Sequence, residues 1–198
     1  EIIDMQTSPI NREGGPFKTD DTLGTDIVKI KTDVLEISVN PVGATIQDIK
    51  LLNYPISKDN PDDLVELINQ SINNYGLIQS GIRASDKKQE ANHLVKFSSD
   101  SENYELNFDG ELIVPFRWES GDGISVEKQF ILKQGNYNIR LEQIVRNDSN
   151  QEWRGAQYSQ LVRRVNKDDR SMFDVESFSF DGPVIFDGEK SEKVDPSD

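Results

Sequence analysis

A single histidine, His93, limits the acid–base chemistry open to this chain. Epimerisation of a sugar uses a general base and a general acid poised near neutral pH, commonly a carboxylate with histidines. Against that one histidine stand 36 Asp and Glu residues, too many for residue type to single out a pair. Glycosidase carboxylates are defined by their separation in space, which a sequence does not give. His93 itself reads as a surface residue at a strand end. No GxSxG, HExxH, phosphate-loop or GxGxxG pattern occurs. Asp168-Asp169 and Gly121-Asp122-Gly123 lack the alternating oxygen ligands of a calcium loop, and turn formation accounts for both. Cysteine is absent, which excludes disulfides, zinc–thiolate sites, iron–sulfur clusters and cysteine nucleophiles. The expectation is a protein that is not an enzyme and needs no cofactor or metal.

Binding chemistry has two candidates. A sugar or peptide cleft would want aromatic platforms beside polar groups, and Arg117 with Trp118, and Trp153 with Tyr158, offer them. The plainer account places the tryptophans on a buried face, most directly for Trp118. The second candidate runs against the global charge. Arg146, Arg154, Arg163, Arg164, Lys167 and Arg170 crowd one stretch, followed by a Phe-rich run that includes Phe178. Solvated strand faces, balanced by Asp148, Glu152, Asp168 and Asp169, explain the bases simply. The functional account is a protein-docking edge over 146–186, since Arg and aromatic residues are enriched at interfaces.

The net charge of −14 and pI near 4.5 argue against nucleic-acid binding, which draws affinity from Lys and Arg on phosphates. They argue equally against charge-driven docking on anionic lipid. Excess acid suits a secreted or periplasmic domain that must stay soluble. No run approaches the roughly 18 apolar residues of a membrane-spanning helix. Glu1 is neither an initiator Met nor part of a signal peptide, so the chain is expected to be a piece of a longer protein.

The elements that must position these residues are strands. From Leu112 to Val145 the chain alternates. Leu112, Val114, Phe116 and Trp118 share one parity; Ile124, Val126, Phe130 and Leu132 share the next, against Ser125, Glu127, Gln129 and Lys133. After Gln134-Gly135-Asn136 come Tyr137, Ile139, Leu141 and Val145. A two-residue period puts each set on one face of a strand, and the glycine turns between them are hairpin signals. The pattern predicts a three-strand antiparallel meander with one wet and one buried face.

Residues 1–25 read as a flexible N-terminal extension, 26–187 as one β-sandwich domain and 188–198 as an acidic tail. Within the domain, strands are expected at 27–30, 34–39, 44–52 (with a bulge), 75–82, 93–98, 104–108, 152–165 (one long strand or a pair), 173–180 and 184–186. Residues 53–63 read as loop. Leu64-Val65-Glu66-Leu67-Ile68 fits either a helix start or a short buried strand. Many short strands with little helix predict an all-β sandwich.

A family resemblance appears at this point. Lys31-Thr32-Asp33-Val34-Leu35-Glu36-Ile37, Gly43-Ala44 and Leu51-Leu52-Asn53-Tyr54-Pro55 resemble the opening of the large periplasmic domain of YidC, the bacterial membrane-protein insertase. Gln79-Ser80-Gly81-Ile82 is similar to its Q-S-G-L segment, and Phe130-Ile131-Leu132-Lys133-Gln134-Gly135-Asn136-Tyr137 to its F-x-L-K-R-G-D-Y hairpin. Asn147 to Trp153 fits the turn that follows, and Phe180-Asp181-Gly182-Pro183 with Glu189-Lys190-Ser191-Glu192-Lys193 fits its F-x-G…EKYEK segment. The order is unbroken over about 26–194. The family often has paired glycines where this chain has Gly43-Ala44, and its domain continues past this C-terminus.

The resemblance implies a β-supersandwich similar to galactose mutarotase, on the periplasmic side of the inner membrane of a Gram-negative bacterium. It implies a docking or scaffolding role within a multi-pass protein that inserts and folds inner-membrane proteins, alone or with the Sec translocon. SecDF- and SecYEG-type components and nascent membrane proteins would be the partners. The hydrophilic groove of the family belongs to its membrane part, so no functional residue carries over. The competing class is a periplasmic carbohydrate-binding or aldose-epimerase-like protein.

Overall fold

A computed structural model describes residues 26–71, 75–107, 110–164 and 182–194. Thirteen strands and a single 3-10 turn at Lys87–Gln89 make up its regular structure. The first sheet begins with β1 (Val28–Lys31), β2 (Leu35–Asn40) and β3 (Thr45–Ser57), joined as antiparallel neighbours. The Thr32-Asp33 break between the first two is a side-chain turn. Thr32 Oγ1 accepts from the backbone N–H groups of Val34 (3.2 Å) and Leu35 (3.0 Å). The expected bulge is present. Ile46 pairs with Val39 and Asp48 with Ser38, leaving Gln47 as the extra residue that lets β3 change phase.

Residues 53–63 are not a loop. β3 runs to Ser57 and β4 (Asn60–Ile68) returns against it, so Leu64 to Ile68 is strand. The two prolines that suggested a loop are accommodated by broken pairing, with register shifts on both sides of Pro55. β5 (Gly76–Ala84) pairs with β3, and the sheet ends at β11 (Gly155–Arg163), matched residue for residue to β5. At the other edge β7 (Asn103–Glu105) lies parallel to β1.

The second sheet has the order β10-β9-β8-β6, from β6 (Ser98–Ser99), β8 (Glu111–Glu119), β9 (Ile124–Lys133) and β10 (Arg140–Asn147). The last three are the predicted meander. Some boundaries differ: Tyr137 and Ile139 precede β10, and of the 93–98 stretch only Ser98 lies in a strand, with Lys96 in an isolated bridge to Val42. One hydrophobic cluster draws on Val28, Ile30, Leu35, Ile37, Val39 and Ile82 from the first sheet and on Val114, Phe116, Val126, Phe130 and Leu132 from the second. The architecture is therefore an all-β sandwich, as the alternation predicted. Phe116 and Phe130 meet edge to face at 5.7 Å in its centre.

β12 (Val184–Phe186) and β13 (Ser191–Lys193) form a two-stranded hairpin, so part of the stretch read as tail is paired. No helix among the described residues is long and apolar enough to cross a membrane.

Candidate functional site

Arg117 and Trp118 are neighbours on β8 and therefore face opposite ways. Arg117 points outward, bonding Asp100 (2.6 Å) and its cross-strand partner Glu127 (2.7 Å). Those two carboxylates hold its guanidinium pKa above the usual value. Trp118 turns inward and packs against the core. A shallow cavity of about 140 Å³ is lined by Arg117, Trp118, Glu119, Ser125, Val126, Glu127, Ile144 and Arg146. A neighbouring dip of about 240 Å³ lies at Gly121, Gly123 and Asp148. Neither of these two includes Trp153 or Tyr158.

Tyr158 sits on the inward parity of β11, opposite Gly81 on β5. A side chain at Gly81 would collide with it: a Cβ there would stand 2.5 Å from the Tyr158 hydroxyl. That hydroxyl accepts from the backbone N–H of His93 at 3.0 Å and lies 2.6 Å from His93 Nδ1. The Arg83 guanidinium covers the Tyr158 ring at 5.9 Å and bonds Glu90 at 3.2 Å. His93 is thus not an exposed strand end. It is half-buried in a turn, because the tyrosine hydroxyl offers it a partner inside the sandwich. Burial, with the charges of Arg83 and Lys128, lowers its pKa, and burial raises that of the Tyr158 phenol. A neutral imidazole against a protonated phenol ties β11 to the 85–97 connection. Trp153 packs against the core over Gly155, and its buried indole N–H has no hydrogen-bond partner among the described residues.

The residue that the alternation passes over is Lys128. It shares the parity of Ile124, Val126, Phe130 and Leu132, and its residue is 0% exposed. Its ammonium group donates to Gly43 O (2.7 Å), Ser80 O (2.7 Å) and Ser80 Oγ (3.2 Å), and lies over the Phe97 ring at 4.6 Å. One side chain from the second sheet is thereby fixed to β5 and to the β2–β3 turn of the first. Burial pulls its pKa down to about 7. The signal that could have found it is a lone lysine in an otherwise apolar register, which a strand buries only with partners for its charge or its polar atoms.

The basic run is divided between two sheets. Arg146 lies on β10, at the edge of the second. Arg154 is exposed and bonds Glu152 at 3.1 Å. Arg163 closes β11, the edge of the first sheet, and the Arg164 backbone N–H donates to Tyr75 O at 3.1 Å. Arg170 and Phe178 lie outside the described residues, as do Lys167 and the predicted 173–180 strand. Among the described residues no cluster of His, Asp and Glu is arranged to hold a metal.

The chain matches the family model for the YidC periplasmic domain over residues 27–198. It is 36% identical over 143 residues to the membrane protein insertase YidC of Methylococcus capsulatus, covering 71% of this chain and 26% of that protein. The YidC insertase of Nitrosococcus oceani is 32% identical over 164 residues, covering 82% of this chain and 28% of that protein. That of one Pseudomonas putida strain is 29% identical over 182 residues, 89% of this chain and 32% of the relative. The chain thus spans about a quarter to a third of the curated relatives it matches. It belongs to the YidC periplasmic domain family.

Proposed function

We propose, from that membership, that this chain is the periplasmic docking and scaffolding domain of a multi-pass inner-membrane insertase. The whole protein inserts and folds inner-membrane proteins, alone or with the Sec translocon. The domain itself carries no catalytic step. The family match over residues 27–198 carries this reading. The sole histidine is half-buried, with its ring against the Tyr158 hydroxyl.

The docking surface in this reading is the β11 edge with Arg154, Arg163 and Arg164, and the reading also includes Arg170 and Phe178 later in the sequence. Its partner is a translocon component of the SecDF type. Among the described residues β11 offers nine residues of strand at a sheet edge, and its alternate side chains Gln157, Ser159, Leu161 and Arg163 are exposed. The test is in-cell crosslinking of the full-length protein with Arg163→Glu and Arg164→Glu together. Reduced crosslinking to Sec components, with membrane levels of the protein unchanged, supports the assignment; unchanged crosslinking removes it. The insertase reading itself is tested separately by carbonate extraction. A native protein that is released, and runs near the size of this chain, overturns it.

A further inference from the structure

Lys128 is fully buried at the centre of the sandwich, and among the described residues no carboxylate bonds it. A charge in that position normally demands an opposite charge or is given up. Here the surroundings suit both forms of the amine. An ammonium has three N–H donors, and three oxygens await them, two at 2.7 Å and one at 3.2 Å. A neutral amine has two N–H donors and one lone pair. The two short contacts are carbonyls, which only accept. The longer one is the Ser80 hydroxyl, which can turn and donate to the lone pair. The Phe97 ring favours the cation, and burial favours the neutral amine.

The contacts cross the sandwich. Ser80 belongs to β5, and Gly43 to the turn between β2 and β3, where φ is +72° at Gly43 and +48° at Ala44. That left-handed pair positions the Gly43 carbonyl that meets the amine.

We propose that Lys128 is a proton-responsive joint between the two sheets, able to be held either as an ammonium or as a neutral amine. The groups around it leave the proton to the lysine. β8 presents Phe116 and β10 presents Gln143, both its register partners, and the buried Gln143 side-chain oxygen has no partner among the described residues. The 85–97 connection presents Phe97 and His93, with Arg83 paired to Glu90 and Tyr158 bonded to His93 behind them. His93 is shifted below its ordinary value and Tyr158 above, so both titrate outside the slightly alkaline range.

The sign of the effect follows. The unfolded lysine keeps its proton to about pH 10.4. The folded one releases it from about 7 upward. Between those values the unfolded state binds one more proton, so stability rises with pH. Acidification towards pH 7 weakens the joint.

The experiment compares denaturant unfolding of this chain and of Lys128→Met from about pH 7.5 to about 9.5. One proton of linkage makes the native unfolding constant fall by up to about tenfold per pH unit relative to the variant. Parallel pH dependence in the two proteins overturns the proposal. A second measurement covers a variant that fails to fold: the side-chain NMR resonances of lysine in the native domain. One lysine that titrates near neutrality, perturbed by Ser80→Ala, supports the joint. Lysines that all titrate above about pH 10 overturn it.

Discussion

The hydroxyl of Tyr158 and the ring of His93 are 2.6 Å apart, and the same hydroxyl accepts the His93 backbone N–H at 3.0 Å. Two residues 65 positions apart in sequence thus close the β11 edge onto the 85–97 connection. Tyr158→Phe keeps the ring but leaves a part-buried N–H and a ring nitrogen without that partner. The expected cost is about 1–3 kcal/mol, read as a lower urea midpoint at constant m-value.

His93 adds an acid limb to stability. Its folded pKa lies below the ordinary 6.5, with burial the largest cause. The unfolded state therefore binds more protons as pH falls from about 6.5, and stability is lost over that interval until the folded ring protonates. His93→Gln should lose less stability than the native domain between about pH 7 and about 5.5. Carboxylates common to both proteins cancel in the comparison, so equal losses would show that His93 contributes no linkage.

Gly43 and Gly121 both have positive φ, +72° and +84°, yet alanine should separate them. At Gly121 nothing lies within 4 Å of an added Cβ, which leaves only the left-handed backbone penalty of about 1–2 kcal/mol. At Gly43 the added Cβ would stand 2.5 Å from His93 O and 2.6 Å from His93 Cα, both backbone atoms. The turn must then move, taking the Gly43 carbonyl away from Lys128. Gly43→Ala is expected to cost at least about 2 kcal/mol more than Gly121→Ala in chemical denaturation.

These contrasts mark how much the chain reveals before folding. The meander from Leu112 to Val145 is legible because a period of two has one meaning over three consecutive strands. Phe116 and Phe130 fall on its buried parity and do meet. The β3–β4 hairpin is not legible, because Pro55, Pro61 and the run of Asp and Asn carry turn chemistry, while strand pairing there tolerates register breaks. The burial of His93 is hidden for a different reason. Its partner lies on β11, and a contact 65 residues away leaves no local mark. Lys128 is legible only as a lone lysine in an apolar register, because alternation ranks residues by polarity and the two backbone carbonyls and the serine that satisfy it lie far off in sequence. Arg117 and Trp118, adjacent in sequence, stand on opposite faces of one strand, Arg117 in surface ion pairs and Trp118 against the core.

That last division yields a paired test on β8. Trp118 packs against the core, so Trp118→Ala removes buried aromatic surface and should cost about 2–4 kcal/mol, a little under a fully buried aromatic. Arg117 meets Asp100 and Glu127 at the surface, where ion pairs are screened and hold long side chains at an entropic cost. Arg117→Gln should shift the urea midpoint little, and the shift should shrink further in about 1 M salt. If the small cavity beside Arg117 serves a partner, that substitution changes association while leaving folding intact. If instead Arg117→Gln destabilises as much as Trp118→Ala, the outer charge ladder supports the sheet, and the division of labour across β8 is wrong.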